Sequence, residues 1–174
     1  MIKRFVVFLF PMLAGCAGPG VEAYKMEKPE LDLRRFFSGP VQGWGMFQDR
    51  SGQVVKRFKV DIRSGWTGDT GTLDETFTWS DGHSSRRVWT LREAGPGRYL
   101  GTAGDVIGTA EGEVAGNALH WRYELALDVD GRTWNVHFDD WMFLAVDGVI
   151  LNRSTMSKFG FRLGEVTLVL QHAP

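Results

Sequence analysis

The chain has 174 residues with a formal net charge of −1, and 43% of its residues are hydrophobic. A chain of this length forms one domain with a core of its own, and its weak negative charge argues against nucleic acid as a partner and against electrostatic attraction to anionic lipid. Cys16 is the single cysteine, which excludes an intrachain disulfide.

The first residues predict an export signal. Two basic residues precede an apolar run over 5–13, and small residues lead from there to Cys16. This order is typical of a secretory signal peptide, and the run is about half of the roughly 20 residues that a membrane-spanning helix needs. The segment Leu13–Cys16 resembles the lipobox of bacterial lipoproteins, in which the cysteine sulfur receives a diacylglyceryl group before cleavage. The resemblance implies a lipoprotein signal peptide over residues 1–15, lipid on Cys16 and membrane attachment through the acyl chains. The alternative is an ordinary secretory signal with a stray cysteine.

An aspartate directly after the lipidated cysteine is associated with retention in the inner membrane, and this chain has Ala17 at that position. We therefore expect the chain on the periplasmic face of the outer membrane. Glycine and proline recur after the cysteine, so residues 16–33 predict a flexible, lipidated tether. Residues 34–174 are expected to form a single β domain.

From Phe36 onward, short alternating runs are separated by turn residues, and no helical period is sustained. This spacing predicts an all-β, antiparallel sandwich or barrel. The predicted strands cover residues 41–48, 54–63, 70–79, 85–93, 98–103, 107–115, 118–128, 132–146, 149–158 and 165–172, the eighth with a break left open.

Two turn signals predict strand registers with consistent faces. Asp130-Gly131 favours a two-residue hairpin that sets Tyr123 opposite Phe138. Gly116-Asn117 sets Gly112 opposite Trp121 and, further along, Ala110 opposite Tyr123 and Gly108 opposite Leu125. Small residues then face large aromatic ones, as close packing between neighbouring strands requires.

A third turn signal, Asp81-Gly82, predicts a hairpin that places Glu75 and Arg86 on the inner face with Phe77 and Trp79. The same register sends Trp89 outward, and a β-bulge that shifts the register is the alternative. An inward Glu75–Arg86 pair would recognise a polar or charged ligand head, while the aromatic side chains hold an apolar tail. A structural ion pair, or a register error, is the competing interpretation.

Other candidate binding residues come from the aromatic inventory and from the last strands. Asp140 would face inward without a bulge in its strand, and Trp141 would do so with one. The strand that begins near Asn152 is polar on both faces, which fits a wet lumen, a partner surface or an edge strand. The remaining candidates are Trp121, Tyr123, Trp134, Arg153 and Lys158, with a filled aromatic core as the alternative for the tryptophans.

No motif predicts catalysis. Serine-hydrolase, P-loop, dinucleotide and zinc-protease patterns are absent from the sequence. The four histidines, His83, His120, His137 and His172, stand singly without metal-ligand spacing. We therefore predict no catalytic residue, no metal and no cofactor.

The chain resembles a family of bacterial lipoproteins known as domain of unknown function 3833. The resemblance runs over roughly residues 36–170 and depends on Phe36-Phe37-x-Gly39, Gly43–Phe47, Ser80–Gly82, Gly104–Gly108, Gly116–Leu119, Asp139–Met142 and Asn152–Gly160. It carries over no catalytic or binding residues. It implies an up-and-down antiparallel barrel of about 8–10 strands, similar in pattern to lipocalins and other calycins.

Together these features predict a non-enzymatic, membrane-anchored lipoprotein that binds a lipid or another apolar or amphipathic small molecule. The first alternative is a structural or accessory lipoprotein that meets an unidentified protein partner through residues 141–158. The second is an enzyme acting on lipid, which would require four side chains to converge on one cleft: Glu75, His137, Asp139 and Asp140.

Overall fold

The computed structural model describes residues 18–129 and 131–174, and the predicted leader, Cys16, Ala17 and Asp130 lie outside these residues. Ten strands account for most of the described chain. They are β1 Gly39–Asp49, β2 Val54–Thr67, β3 Thr70–Trp79, β4 Ser84–Glu93, β5 Arg98–Thr102, β6 Val106–Ala115, β7 Ala118–Val129, β8 Arg132–Leu144, β9 Ile150–Lys158 and β10 Phe161–His172. A short helix, α1, covers Leu33–Phe36, and 3₁₀ turns cover Val21–Tyr24 and Val146–Gly148. None of the helices in the described ranges is long and apolar enough to cross a membrane.

The strands form one closed barrel. Each strand pairs antiparallel with the next along the chain, and β1 pairs with β10 to close the sheet. Closure leaves no unpaired strand edge, and alternate residues of every strand face the interior. The predicted all-β, up-and-down, lipocalin-like barrel is therefore confirmed, with ten strands.

The two ends of the barrel differ. At one end, here called the closed end, α1 and the residue after it cover the opening with the buried side chains of Leu33, Phe36 and Phe37. The indole Nε1 of Trp66 donates to the Phe37 carbonyl at 3.0 Å, which ties this plug to the rim. The other end, here called the mouth, is formed by the β1–β2, β3–β4, β5–β6, β7–β8 and β9–β10 connections.

The segment before α1 packs against the barrel. Val21 is buried beside Ala115 and Ala118, and the Tyr24 ring meets Phe143 edge-on at a centroid distance of 5.1 Å. The Leu31 amide donates to the Gly116 carbonyl at 2.8 Å. The flexible tether predicted for residues 16–33 is thus wrong for its described part, because apolar side chains within the glycine- and proline-rich stretch cover the outer face of β6–β8.

The predicted β7–β8 register is confirmed, since Tyr123 lies opposite Phe138. The predicted β6–β7 register holds near the turn, where Gly112 lies opposite Trp121, but not beyond it. An irregularity between Ile107 and Glu111 places Val106, not Gly108, opposite Leu125. Gly108 has a φ of 71°, which breaks the ladder at this point.

The predicted β3–β4 register is wrong by one residue. Trp79 donates its amide to the His83 carbonyl at 2.9 Å, so the loop contains three residues instead of two. Gly82 takes the left-handed conformation, with a φ of 84°, that such loops require. The extra loop residue moves all of β4 to the opposite face, and Glu75 therefore lies opposite Arg87.

Candidate functional site

A cavity of about 500 Å³ occupies the barrel interior. Its floor is formed by Leu33 and Phe37 at the closed end, and it opens at the mouth between Phe47, Lys56 and Leu127. Most of its wall is aliphatic and aromatic, so an apolar molecule would be desolvated on entry. The aromatic part of the wall consists of Phe58, Phe77, Trp79, Trp89, Trp121, Tyr123 and Phe138.

The aromatic side chains form two groups on the cavity wall, one from β2 and β3 and one from β4 and β7. In the first group, the Phe77 and Trp79 rings stack at a centroid distance of 5.8 Å, and Phe58 meets both. In the second group, Trp89 meets Trp121 and Tyr123 edge-on. These contacts hold the rings in fixed orientations, so the wall is preformed rather than assembled around a ligand.

A set of polar side chains interrupts this apolar wall midway along the barrel. We call it the polar cluster, and each member projects inward from its strand or from the loop before β6. Glu75 and Arg87 lie on β3 and β4, Asp105 lies beside Arg87, and the remaining members project from β7, β8 and β9. Its members are Glu75, Arg87, Asp105, Tyr123, Asp140, Asn152 and Ser154.

An ion pair forms one side of the polar cluster. Arg87 donates from Nε to Oδ2 of Asp105 at 2.9 Å, and its terminal nitrogen lies 2.8 Å from the same oxygen. Its guanidinium also lies 5.7 Å from the centre of the Phe77 ring. Oδ1 of Asp105 is buried and has no hydrogen-bond partner within residues 18–129 and 131–174. A free acceptor therefore stands beside a fixed cation.

A hydrogen-bonded pair forms the other side. The Asn152 amide donates to Oδ1 of Asp140 and, at 3.1 Å, to the Trp141 carbonyl. Ser154 lies directly opposite Asp140 on β9, and its buried hydroxyl has no partner in the described part of the chain. Buried polar atoms are almost always satisfied, so unpaired ones on a cavity wall mark positions for a water or a ligand group.

Burial changes the protonation of the two carboxyl groups that are not ion-paired. It raises the pKa of Glu75 to about 7, with Asp105 and Asp140 adding to the rise and Arg87 opposing it. It also raises the pKa of Asp140 to about 7, against the hydrogen bond from Asn152. Although Glu75 retains some exposed surface, that surface faces the enclosed lumen. Near neutral pH, both groups therefore exchange between a donating and an accepting form.

The structure places several predicted site residues inside the barrel. Glu75 and Asp140 belong to the polar cluster. Asp140 lies opposite Trp121 on a strand without a bulge, which is the alternative that predicted an inward Asp140. Trp134 and Lys158 lie at the rim, where the ammonium group sits 4.4 Å from the indole centre. Asn152 lies on the inner wall, as do Phe77, Trp79, Trp121 and Tyr123. Their role as ligand-binding residues stays a prediction.

Three predicted site residues point away from the lumen. Arg86 is on the outer face and makes two hydrogen bonds to Asp74, because the three-residue loop inverted β4. Trp141 is on the outer face of β8, where it stacks on His120 at 4.1 Å. Arg153 is on the outer face of β9 and pairs with Glu165.

The carboxylates proposed for an enzyme do not converge. Asp139 bonds to His120 on the outer surface at 3.2 Å, and His137 bonds to Glu124 there at 3.0 Å. Glu75 and Asp140 lie on the other side of the barrel wall. The arrangement that the enzyme alternative requires is therefore wrong for this fold.

Sequence reasoning missed Arg87, Trp89, Asp105 and Ser154. The alternation of β4 carried a usable signal, because Trp89 and Leu91 belong inside by hydropathy and bring Arg87 with them. Asp105 precedes a strand, and nothing local indicates that its partner lies on β4. In the described ranges, no group of three or more His, Cys, Asp or Glu side chains is placed to hold a metal ion.

The chain matches no curated protein. The model of one protein family matches it over nearly the whole described barrel and the segment before it. The match spans residues 10–172, so the chain belongs to the family described as Protein of unknown function (DUF3833).

Proposed function

We propose that this protein is a non-enzymatic carrier that holds an apolar or amphipathic small molecule, such as a lipid, in its barrel. The observation that carries the proposal is a preformed cavity with one closed end, a mostly apolar wall and a polar cluster midway along it. A barrel that needed only to be stable would fill this space with side chains, since empty volume weakens a core.

The polar cluster supports an amphipathic ligand over a purely apolar one. Arg87 supplies a fixed cation, and Glu75 and Asp140 supply groups that donate when protonated. Unpaired atoms on Asp105 and Ser154 complete a set that can satisfy a polar head from several sides. The apolar tail would then run along the aromatic wall toward the mouth.

Extraction of the purified protein tests the proposal directly. Organic solvent should release a lipid or another amphipathic compound that mass spectrometry detects in stoichiometric amount. The same extraction after the protein has been stripped and re-exposed to a membrane extract should recover the compound. A protein that yields no such compound in either case would sink the proposal.

Narrowing the mouth should block binding. Val166 lines the cavity on β10 opposite Phe47, so Val166→Trp would fill the entrance. We expect the affinity for a naphthylamine fluorescent probe to fall at least about tenfold, because the bulky ring occupies the ligand's volume. Val88→Trp on the outer face of β4 is the matched control and should leave probe titration unchanged. Equal titration curves for the two variants would argue against the lumen as the binding site.

We further propose that the carrier is anchored by lipid on Cys16 at the periplasmic face of the outer membrane. Cys16→Ser should prevent acylation and processing and should move the protein from the membrane fraction to a soluble or uncleaved form. Metabolic labelling with a tagged fatty acid checks acylation, and fractionation checks attachment. Unchanged processing and fractionation would contradict the anchor.

Such an anchor would also orient the barrel. Gly18, the first described residue, precedes the segment that packs at the closed end. Two residues span at most about 7 Å, so an acylated Cys16 would keep this end close to its membrane. The mouth would then point away from that membrane.

A further inference from the structure

Two neighbouring hairpins at the mouth carry large apolar side chains that nothing covers in the described chain. Phe159 is 89% exposed and Phe161 is 76% exposed, both at the end of the β9–β10 hairpin. Val54 and Val55 are exposed at the start of β2. Because β1 pairs with β10, the two hairpins are adjacent. We call residues 50–57 and 158–162 together the mouth tip.

The backbone conformation of Phe159 indicates that a phenylalanine at this position does not stabilise the fold. Lys158 pairs with Phe161, so Phe159 and Gly160 form a two-residue loop with φ angles of 51° and 79°. Such a loop favours Asn-Gly, since both residues take positive φ and a bulky side chain is strained there. Phe159 is therefore strained as well as exposed to water. Strain of this kind is retained at sites where the side chain serves another purpose.

The charge of the mouth tip differs from that of the whole chain. The chain carries a net charge of −1, which alone would predict no attraction to anionic lipid. The tip carries no acidic residue; beside it, Asp49 accepts a bond from the Ser51 amide, and Glu165 pairs with Arg162 of the tip. Asp81 of the neighbouring β3–β4 hairpin pairs with Lys56 of the tip at 3.3 Å, so Arg50, Arg57 and Lys158 are the tip cations without an ion-pair partner among the described residues. The basic residues of the tip are Arg50, Lys56, Arg57, Lys158 and Arg162.

We propose that the mouth tip docks on the surface of an anionic lipid bilayer. Phenylalanine and valine side chains at a protruding hairpin end would enter the headgroup region, and the surrounding basic residues would meet lipid phosphates. A bilayer accepts separate protruding apolar tips ringed by positive charge, which fits this surface better than a flat protein partner would. The contact is distinct from an acyl anchor, since the tip lies at the opposite end from Gly18. It does not depend on what the barrel carries.

A positional probe tests the contact in the full chain. In a Cys16→Ser background, an environment-sensitive fluorophore is attached at Phe161→Cys or, as control, at Val146→Cys, which is 74% exposed at the closed end. Vesicles of phosphatidylcholine and phosphatidylglycerol at a two-to-one ratio should shift the emission to the blue at position 161 only, and added salt should reverse the shift. Equal shifts at positions 161 and 146 would overturn the proposal. So would a shift at position 161 that is as large with vesicles of pure phosphatidylcholine as with the anionic vesicles. So would a shift at position 161 that needs only a higher protein concentration, because this would identify a contact between copies.

Substitution of Phe159 separates docking from folding. Phe159→Asn should leave the thermal midpoint unchanged or raise it, because asparagine suits the loop, while vesicle partitioning falls at least about tenfold. Arg50→Gln and Arg57→Gln should each lower partitioning about fivefold at low salt. Met26→Asn, which removes a side chain that is 85% exposed at the closed end, is the matched control and should change neither quantity. Undiminished partitioning of Phe159→Asn would refute the docking surface, whatever the barrel is found to bind.

Discussion

Replacing Gly112 with alanine should lower the free energy of unfolding by about 2–3 kcal/mol. A Cβ at this position would lie inside the contact distance of the Trp121 ring, at Cε3 and Cζ3. The ring has little room to shift, because Trp89 packs edge-on against it at a centroid distance of 5.8 Å and Gly101 lies against its far edge, at Cζ2 and Cη2. Chemical denaturation monitored by tryptophan fluorescence measures the effect.

Two further variants decide whether the Trp121 ring causes this loss. Gly65→Ala, in β2, introduces a Cβ with no atom within 4 Å and should not destabilise the barrel. In a Trp121→Leu background, Gly112→Ala should cost less than about 1 kcal/mol, because the clashing ring atoms are gone. Equal costs in both backgrounds would show that the glycine is needed for another reason.

The pairing of Gly112 with Trp121 illustrates which parts of this fold the sequence predicts. A turn dipeptide fixes a local register, and the alternation of small and large residues then checks it within a dozen positions. Strand positions and the β7–β8 hairpin follow from such local information. The choice between a sandwich and a closed barrel does not, because closure depends on the pairing of β1 with β10, far apart in the chain.

The candidate site was harder to predict because its members come from six separate segments. One additional loop residue at Gly82 exchanges Arg86 for Arg87, and dipeptide signals locate a turn without fixing its length. Asn152 and Asp140 meet across two strands whose polar residues occur on both faces. The glycine- and proline-rich composition of the N-terminal segment predicted a flexible tether. Val21 and Leu31 are buried there because they pack against the folded barrel, and composition carries no information about those contacts.

The contribution of the buried carboxyl groups to wild-type stability should decrease as the pH rises toward neutrality. The folded-state pKa of Glu75 is raised from 4.5 to about 7, and that of Asp140 from 3.8 to about 7, burial being the main cause in both. As the pH rises through this window, the unfolded chain releases these protons first. Ionisation thus favours unfolding, and the loss ends once the folded-state groups have also ionised.

Exposed carboxylates act in the opposite direction, so the total curve mixes both effects. At Asp74, for example, the hydrogen bond from Arg86 lowers the pKa of the carboxyl group. This bond outweighs burial, which acts to raise the pKa. Such a group contributes stability above its ordinary pKa that is lost as the pH falls. The difference between a variant and the wild type at each pH isolates the contribution of the buried group.

Glu75→Gln should therefore gain stability relative to the wild type by about 3 kcal/mol between pH values of about 4.5 and about 7.5. The amide keeps the shape of the protonated acid, and the Arg87–Asp105 ion pair remains in place. Asp140→Asn should show the same trend, with Asn152 still donating to the new carbonyl oxygen. Because Asp140 contributes to the raised pKa of Glu75, the gains should not add fully in the double variant. Glu111→Gln on the exposed outer face is the matched control. For each variant, the difference in free energy of unfolding from the wild type is plotted against pH. A Glu75→Gln plot no steeper than that of the control would show that the lumen does not hold Glu75 in its neutral form.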